Sequence, residues 1–388
     1  MKILFLDQSG KLGGAELCLA DIAQQFSTTS LVGVFAEGIF PDYLRQYNIP
    51  VEILAEQSLQ VQKASGLLPG LKSLNRLIPL IIRVAQLSKQ YDVIYANTQK
   101  ALVVGALASV LSGCPLVYHL HDIVSPDHFS VINRHIIITL ANRAALVIAN
   151  SHASREAFIQ QGGRADRVHV VHNGFRLENY VDCASKQAHL KNEIVPILPH
   201  PEDSISPFVV GHFSRLSPWK GQHVLIEALQ HCPENVVAVF IGDALFDEQE
   251  YVQHLHQQIQ GLNLEHRVKF LGFRSDVPQL MAACDLVTHT STAPEPFGRV
   301  IVEAMLCGTP VVAAAAGGAV ELIDHGQTGW LTPPGDAEKL ADIISTCQDQ
   351  SSQSKALAQK AQVQAGQRFN LETTNGQISQ LLSETIKV

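Results

Sequence analysis

The sequence lacks the residue patterns of a disulfide scaffold or a metalloprotein. It has seven cysteines, an odd number, and no two are spaced as Cys-x-x-Cys; scattered thiols of this kind indicate a reducing compartment rather than a disulfide framework or a zinc site. The 17 histidines are dispersed, and none forms a carboxylate–histidine cluster at ligand spacing. We therefore expect no bound metal and no other cofactor.

The sequence also lacks a positive net charge and long apolar runs. Its 28 Lys and Arg against 36 Asp and Glu give a formal charge of -8, which argues against nucleic acid as the main partner. The apolar run at residues 3–6 is too short for a signal peptide, and no run approaches the ~18 apolar residues of a membrane-spanning helix. These absences predict a cytoplasmic protein.

What is present is an alternation of short apolar runs with helical patterns. The runs are rich in Val, Ile and Leu with little polar alternation, as in parallel strands covered on both faces. In the first half they are Ile3–Asp7, Leu31–Ala36, Val51–Leu54, Val93–Asn97, Leu116–His121, Leu146–Asn150 and Val168–His172. In the second half they are Phe208–Phe213, Val236–Gly242, Val268–Gly272, Leu286–Thr290 and Pro310–Ala315. The pattern predicts two α/β domains with doubly wound parallel sheets.

The break between the two halves lies in a polar stretch that contains four prolines. We predict an N-terminal domain over 1–183, a linker over 184–207 and a C-terminal domain over 208–370, with a helix at 371–388 that rejoins the first domain. Ligands of such sheets bind at the carboxyl ends of the strands. If the halves face each other, functional residues should lie just after strands on both sides of one cleft.

A glycine-rich turn, Gly13-Gly14-Ala15-Glu16, follows the first strand and precedes an amphipathic pattern. Glycines allow an anion to approach the backbone, and a helix N-terminus offers unpaired N–H groups. The spacing is not that of a nicotinamide site. A plain tight turn is the alternative interpretation.

Charged residues follow strands of the second half in two places. Arg215 and Lys220 lie five positions apart, where a planar fork and a point charge could bind the two phosphates of a diphosphate. Glu295 and Glu303 have seven residues between them, one before a predicted helix and one inside it, so that their carboxylates could accept hydrogen bonds from sugar and ribose hydroxyls. Solvated surface charges are the alternative in both cases.

Together these segments resemble glycosyltransferase family 4, a large group of retaining enzymes with the GT-B fold of two Rossmann-like domains. The segments that match, in order along residues 2–345, are 13–16, 147–151, 171–174, 215–221, 240–243, 295–303, 316–321 and 326–329. The resemblance implies transfer of a hexose-type sugar from a nucleotide diphosphate sugar to a saccharide or lipid-linked acceptor.

The resemblance also implies roles for individual residues. Lys220 and Arg215 would neutralise the leaving diphosphate, Glu295 would contact the donor sugar, and His121 would face that sugar from the other domain. The donor-binding residues that it implies are Gly13, Gly14, Arg215, Lys220, Gly242, Phe273, Arg274, Glu295, Phe297, Gly298 and Glu303. The loop at 272–274 would bind the base through its backbone. UDP is expected on family frequency alone, and GDP and ADP stay open.

The family resemblance, together with the absence of any Asp-x-Asp sequence, predicts metal-independent catalysis. Retention without an evident nucleophile implies, by the same analogy, a displacement on one face of the sugar. For His121, a strand-end histidine bonded to local backbone is the alternative, and more so for His119, which points to the same face of the strand.

Residues 57–91 contain no acid but carry five Lys and Arg residues among many leucines and isoleucines. A basic apolar segment of this kind can lie in a membrane interface, which would place the enzyme peripherally on the inner face of the membrane through residues 61–90. A buried helix with solvated lysines is the alternative. Two other functions also stay open: a nucleotide-sugar epimerase of GT-B shape, and a non-catalytic nucleotide-sugar-binding subunit.

Overall fold

The computed structural model describes residues 1–55, 67–181, 183, 207–244 and 248–386, and leaves the side chains of 67–76 undescribed. The chain divides into two units. Unit 1 comprises Met1–Phe175 with Leu371–Val388, and unit 2 comprises Arg176–Asn370. Most of the predicted linker, residues 184–206, lies outside the described residues.

Unit 1 contains a seven-stranded sheet in the order β3-β2-β1-β4-β5-β6-β7, and every adjacent pair is parallel. Its strands are β1 (Ile3–Asp7), β2 (Leu31–Val34), β3 (Val51–Ile53), β4 (Val93–Ala96), β5 (Leu116–Leu120), β6 (Leu146–Ala149) and β7 (Val168–Val170). Its helices are α1 (Gly14–Gln25), α2 (Ile39–Gln46), α3 (Leu67–Ser88), α4 (Gln99–Ser112), α5 (Val131–Ala141) and α6 (His152–Gln160).

Unit 2 contains a six-stranded sheet in the order β10-β9-β8-β11-β12-β13, again parallel throughout. Its strands are β8 (Phe208–Phe213), β9 (Val236–Ile241), β10 (Val268–Gly272), β11 (Leu286–His289), β12 (Val311–Ala314) and β13 (Trp330–Thr332). Its helices are α7 (Gln222–Ala228), α8 (Gln249–Gly261), α9 (Val277–Ala283), α10 (Arg299–Leu306), α11 (Ala319–Leu322), α12 (Ala337–Asp349) and α13 (Ser351–Arg368).

The last helix, α14 (Leu371–Thr385), belongs to unit 1. Its buried Ile378 and Leu382 join the apolar layer on one face of the unit 1 sheet, and Thr374 bonds to the backbone oxygen of His172. The chain thus returns to its first unit after Asn370.

The first crossing between the units lies at Phe175–Arg176, before the predicted end of the domain at residue 183. Cys183, the predicted last residue of the first domain, is buried and interacts with Cys307 of unit 2. The predicted end and the observed crossing differ by eight residues, because the packing of a short polar segment is decided by tertiary contacts that leave no periodic signal.

Both sheets are covered on their two faces. The central strands of unit 1 are fully buried, and separate apolar clusters lie on either side of the sheet. In unit 2, β9 and β11 are buried along their whole length. In a parallel sheet of this kind, polar functional side chains are found in the loops that follow the strands.

Candidate functional site

The central feature of unit 2 is a buried ion pair between Lys220 and Glu295. The Lys220 ammonium donates to Glu295 Oε2 at 2.8 Å, and the two side chains are only 17% and 11% exposed. Lys220 ends a short 3₁₀ turn after β8, and Glu295 lies in the loop after β11. Two residues predicted to bind opposite parts of a donor therefore meet directly in this structure.

Two further groups hold the carboxylate of Glu295. The Nε2 atom of His289 lies 3.0 Å from Glu295 Oε2, and the Ser291 hydroxyl donates to the same oxygen at 3.1 Å. Burial would raise the pKa of Glu295, but the positive charge of Lys220 and the contact with His289 outweigh burial and hold that pKa well below its usual range. Glu295 is therefore an anion over the physiological pH range.

Two glycines fix the backbone around this pair. Gly221 has φ 72°, and a Cβ there would lie 1.9 Å from the backbone oxygen of Thr290. Gly317 has φ 63°, and a Cβ there would lie 2.3 Å from the backbone oxygen of Glu295. Because both sites combine a left-handed backbone with backbone contact, only glycine fits them without strain. They position Lys220 and Glu295 respectively.

Arg215 and Glu303, the other two predicted charges, pair with different partners. Arg215 lies 3.3 Å from Glu248 and its side chain is 40% exposed. Glu303 lies 3.5 Å from Arg299, one helical turn earlier on α10. All four predicted residues follow strands β8 or β11 of unit 2, and a direct contact joins Lys220 to Glu295.

The predicted base-binding loop follows β10. Gly272 has φ 65°, and the next residue, Phe273, exposes 66% of its surface. Asp243 accepts the Phe273 N–H at 3.1 Å, while Gly242 donates its N–H to the Gly272 oxygen at 2.9 Å. The guanidinium of Arg274 forms two bonds to Asp276, at 2.8 and 2.7 Å. An exposed aromatic ring on a braced loop is suited to stacking on a base.

Phe297 and Gly298 differ in how they could serve a donor. The Phe297 side chain is buried and packs edge-on against Phe369 at 5.9 Å between ring centroids, so a contribution to binding would come from its backbone. Gly298 has φ 97° and caps the N-terminus of α10, whose first N–H groups have no partner within the helix.

In unit 1 the glycine-rich turn lies between β1 and α1. Gly13 caps α1 with extended backbone, and Gly14 is its first residue. The nearby Asp7 accepts from Asn97 Nδ2 at 2.8 Å and from the Ser9 N–H at 2.8 Å. Burial, and then the charge of Glu16, raise the pKa of Asp7 to about 7 against these bonds.

The two histidines of β5 lie side by side. His121 is half-buried, and its Nε2 lies 2.8 Å from Asn97 Oδ1. His119 is fully buried, and its Nδ1 lies 2.8 Å from the Tyr95 hydroxyl. Burial, and then the neighbouring His121, hold the pKa of His119 well below its usual range. The Sγ atom of Cys18, on α1, lies close to ligand atoms of both histidines.

Sequence reasoning missed His289, Ser291 and Cys18. His289 ends β11 and Ser291 follows it, so the rule that function lies after parallel strands could have identified both. Cys18 lies on a helix, 101 positions from His119, and only the fold brings them together. Within the described ranges, no helix has the length and hydropathy needed to cross a membrane.

Two family models match the chain. The model of glycosyltransferase family 4 matches residues 12–179, and the model of glycosyl transferases group 1 matches residues 196–364. The first covers most of unit 1 and the second most of unit 2. The two matches follow each other in chain order without overlap.

Curated proteins of known name also resemble this chain in sequence. Spore coat protein SA of Bacillus subtilis is 34% identical over 151 residues, which are 36% of this chain and 40% of that protein. D-inositol 3-phosphate glycosyltransferase 1 of Catenulispora acidiphila is 29% identical over 69% of this chain and 66% of its own length. The matched segments thus span less than two thirds of these two relatives.

A solved structure matches over the full length. Anabaena HepE, crystallised with UDP and glucose, is 56% identical, covers 99% of this chain and 100% of its own, and superposes with a TM-score of 0.89. With the two parallel sheets, the paired Lys220 and Glu295, and both family models, this match leads to one conclusion: the chain is a glycosyltransferase with the GT-B fold and belongs to glycosyltransferase family 4.

Proposed function

We propose that the chain transfers glucose, or a closely similar hexose, from a UDP-sugar to a saccharide or lipid-linked acceptor, with retention and without a metal. The buried Lys220–Glu295 pair after β8 and β11 carries the proposal, because it brings together the cation predicted to bind the diphosphate and the carboxylate predicted to contact the sugar. The choice of donor rests on HepE, which is 56% identical and was also crystallised with UDP-glucose.

The charge balance at the pair supports a role for Lys220 in leaving-group stabilisation. Glu295 already compensates Lys220, so the site carries little net charge before a donor binds. Negative charge grows on the leaving phosphate as the glycosidic bond breaks, and a fixed ammonium in a partly buried site stabilises that charge more than it would in water. Lys220 and Arg215 can supply this stabilisation without a cation from solution.

Retention in a single displacement requires that the acceptor attack the face from which UDP departs, whereas a double displacement would need a nucleophile on the opposite face. We propose that the leaving phosphate oxygen takes the proton of the acceptor hydroxyl as the new bond forms, while Glu295 holds the sugar hydroxyls and stays ionised. The low pKa of Glu295 fits this role, because an anionic carboxylate accepts hydrogen bonds and donates none. The assignments of Gly13, Gly14 and His121 to the donor stay predictions.

A binding and turnover experiment tests this function. UDP-glucose, GDP-glucose and ADP-glucose are titrated calorimetrically, and nucleotide release is followed with and without EDTA. We expect binding of UDP-glucose, turnover unaffected by EDTA, and a loss of at least ~100-fold in Lys220→Ala and Glu295→Gln. Lys339→Ala, in an exposed pair with Asp342, should match the unmodified chain.

Other outcomes would favour other functions. Release of free epimerised sugar with UDP would indicate an epimerase, and binding without turnover for any acceptor would indicate a non-catalytic subunit. Activity that vanishes with EDTA and returns with Mg²⁺ would refute the metal-independent mechanism. An inverted anomeric configuration in the product, read by NMR, would refute retention.

The acceptor side is suggested by an apolar face on unit 1. Eight of the fourteen exposed large apolar side chains in the described part of the chain lie on α3, α4 and α5, where α3 packs on α4 and α4 on α5. They are Ile78, Ile82, Leu107, Val110, Leu111, Val131, Ile132 and Ile136, and we call this set the α3–α5 patch.

The charges of these helices favour an anionic membrane over another protein. Helices α3, α4 and α5 contain five Lys and Arg residues and no acid. Arg83 of α3 pairs with Glu52 of β3, but the three helices themselves contribute only cations, and exposed apolar side chains on such helices suit the interface of an anionic bilayer. Of the predicted segment 61–90, residues 61–66 lie outside the described residues, and exposed Ile78 and Ile82 belong to the patch.

Sedimentation with vesicles tests this contact. We expect the chain to sediment with phosphatidylglycerol vesicles at low salt, less at high salt, and little with phosphatidylcholine. Val110→Asp and Ile132→Asp should abolish sedimentation, whereas Val363→Asp, an exposed apolar position in unit 2, should not. Absence of binding at low salt would refute the membrane contact.

A further inference from the structure

Cys18 and His119 lie beside His121 in unit 1, and the proposed transfer reaction gives neither of them a role. One thiol and two imidazoles each offer a ligand atom, and these atoms all lie within 4.8 Å of one another. His119 and His121 project from the same face of β5 with ring centroids 4.0 Å apart, and Cys18 comes from α1. Side chains this close can converge on one ion with bonds of ~2.0–2.3 Å through small side-chain rotations.

His119 supplies a second, independent observation. Its side chain is 1% exposed, and its Nε2 atom has no hydrogen-bond partner. A buried polar atom without a partner costs free energy, and native structures leave few of them. A bound ion would satisfy this nitrogen.

The neighbours of the histidines orient them as metal ligands are oriented. The Asn97 amide donates to Asp7 and to the Ala15 oxygen, which turns its Oδ1 toward His121 Nε2 as an acceptor. Coordination by His121 Nδ1 would leave that bond intact. In the same way, His119 Nδ1 can donate to the Tyr95 hydroxyl while Nε2 binds the ion.

We propose that Cys18, His119 and His121 form a binding site for a transition metal of the Zn²⁺ type, with the fourth position open to water. Thiolate and imidazole ligands favour Zn²⁺ or Cu⁺, whereas Mg²⁺ and Mn²⁺ favour oxygen ligands. The site is thus distinct from a metal that would assist a sugar diphosphate. His121 is half-buried, so an ion can enter from its side, and the proton of the Cys18 thiol passes to solvent on binding.

Cobalt absorption tests the site without any measurement of transfer, so its result does not depend on the proposed function. Full-length, chelator-treated protein is titrated with Co²⁺. We expect one equivalent to produce the near-ultraviolet thiolate-to-metal band and the visible bands of a tetrahedral ion, and Zn²⁺ to displace it. Cys18→Ser should remove the charge-transfer band, and His119→Gln should weaken Zn²⁺ binding about tenfold or more.

Matched controls isolate the cluster from the other thiols and histidines. Cys114→Ser removes another buried cysteine of unit 1, and His169→Gln removes an exposed histidine on β7; both should leave the spectrum unchanged. If either buried-site variant does not fold by circular dichroism, His121→Gln decides in its place. Absence of a thiolate band in the unmodified chain, or a band that survives both Cys18→Ser and His121→Gln, would overturn the proposal.

Discussion

Replacing Lys220 with methionine removes one half of a buried ion pair and leaves the other half in place. At 2.8 Å and an effective dielectric of about 20, the attraction between the two charges is about 6 kcal/mol. Desolvation of both ions offsets part of it, and loss of one partner from a buried pair costs about 3–5 kcal/mol. We expect Lys220→Met to lower the free energy of unfolding by about that amount at pH 7.

The pH dependence of the same variant distinguishes loss of charge compensation from loss of packing. In the unmodified chain the folded-state pKa of Glu295 lies below its ordinary value of 4.5. Its contribution to stability is therefore complete above that pH and is lost as the pH falls through the folded-state pKa. Between pH 5 and 7 Glu295 adds no pH dependence.

Without Lys220, only the contact with His289 still opposes burial, and we expect the folded-state pKa of Glu295 to move above 4.5. The sign then reverses: the contribution is complete below pH 4.5 and is lost as the pH rises through the new pKa. We expect the deficit of Lys220→Met relative to the unmodified chain to be smaller at pH 5 than at pH 7. Urea unfolding followed by circular dichroism at both values measures it.

Two controls complete the test. Lys220→Met with Glu295→Gln removes both charges and should recover much of the lost stability. Lys339→Met breaks an exposed pair with Asp342, whose side chains are 56% and 69% exposed, and should cost less than ~1 kcal/mol. If Lys220→Met costs under ~1 kcal/mol and its deficit is the same at both pH values, the pair does not hold the Glu295 charge and the reasoning is refuted.

Three further changes test the remaining parts of the site. Gly317→Ala should abolish turnover and lower stability by more than ~2 kcal/mol in thermal unfolding, because it combines a left-handed backbone with a clash against Glu295. The control Gly366→Ala, in a helix with open space around it, should be neutral or stabilising in the same assay. Phe273→Ala should weaken UDP binding by ~1–3 kcal/mol in calorimetry if the exposed ring stacks on the base; an unchanged affinity contradicts that. Ser291→Ala removes one donor to Glu295 and should lower the turnover number about tenfold with stability reduced by ~1 kcal/mol; a change in KM alone would count against this role.

The fold was largely predictable because its strands are buried on both faces. Of the thirteen strands in the described residues, twelve were predicted, most within two residues at each end, since continuous runs of Val, Ile and Leu bounded by turn residues are a strong signal. The strand that was missed, Trp330–Thr332, has three residues between Gly329 and Pro333. A run that short cannot be distinguished from a loop by periodicity.

The positions of the site residues, in loops after strands, could be predicted from the sequence, but the contacts between their side chains could not. Lys220 and Glu295 could be named from their loops, yet their mutual bond depends on the Gly221 and Gly317 turns, whose backbone angles the sequence does not reveal. Likewise, no spacing rule connects Cys18 to β5. The sequence indicates residue types and local structure, whereas contacts between distant segments depend on the tertiary fold.

The pairing of charges before any donor arrives has a consequence for donor affinity. Lys220 is bonded to Glu295 and Arg215 to Glu248, so a diphosphate does not meet two uncompensated cations. The diphosphate must share each cation with a carboxylate or displace that carboxylate. The free energy gained on binding is then the difference between two ion pairs rather than the whole energy of one. Binding of inorganic diphosphate alone should then be weak. If Glu295 accepts hydrogen bonds from the sugar hydroxyls as we propose, those bonds compensate the carboxylate while the phosphate pairs with Lys220. We therefore expect the site to bind a complete nucleotide sugar more tightly than its separated parts.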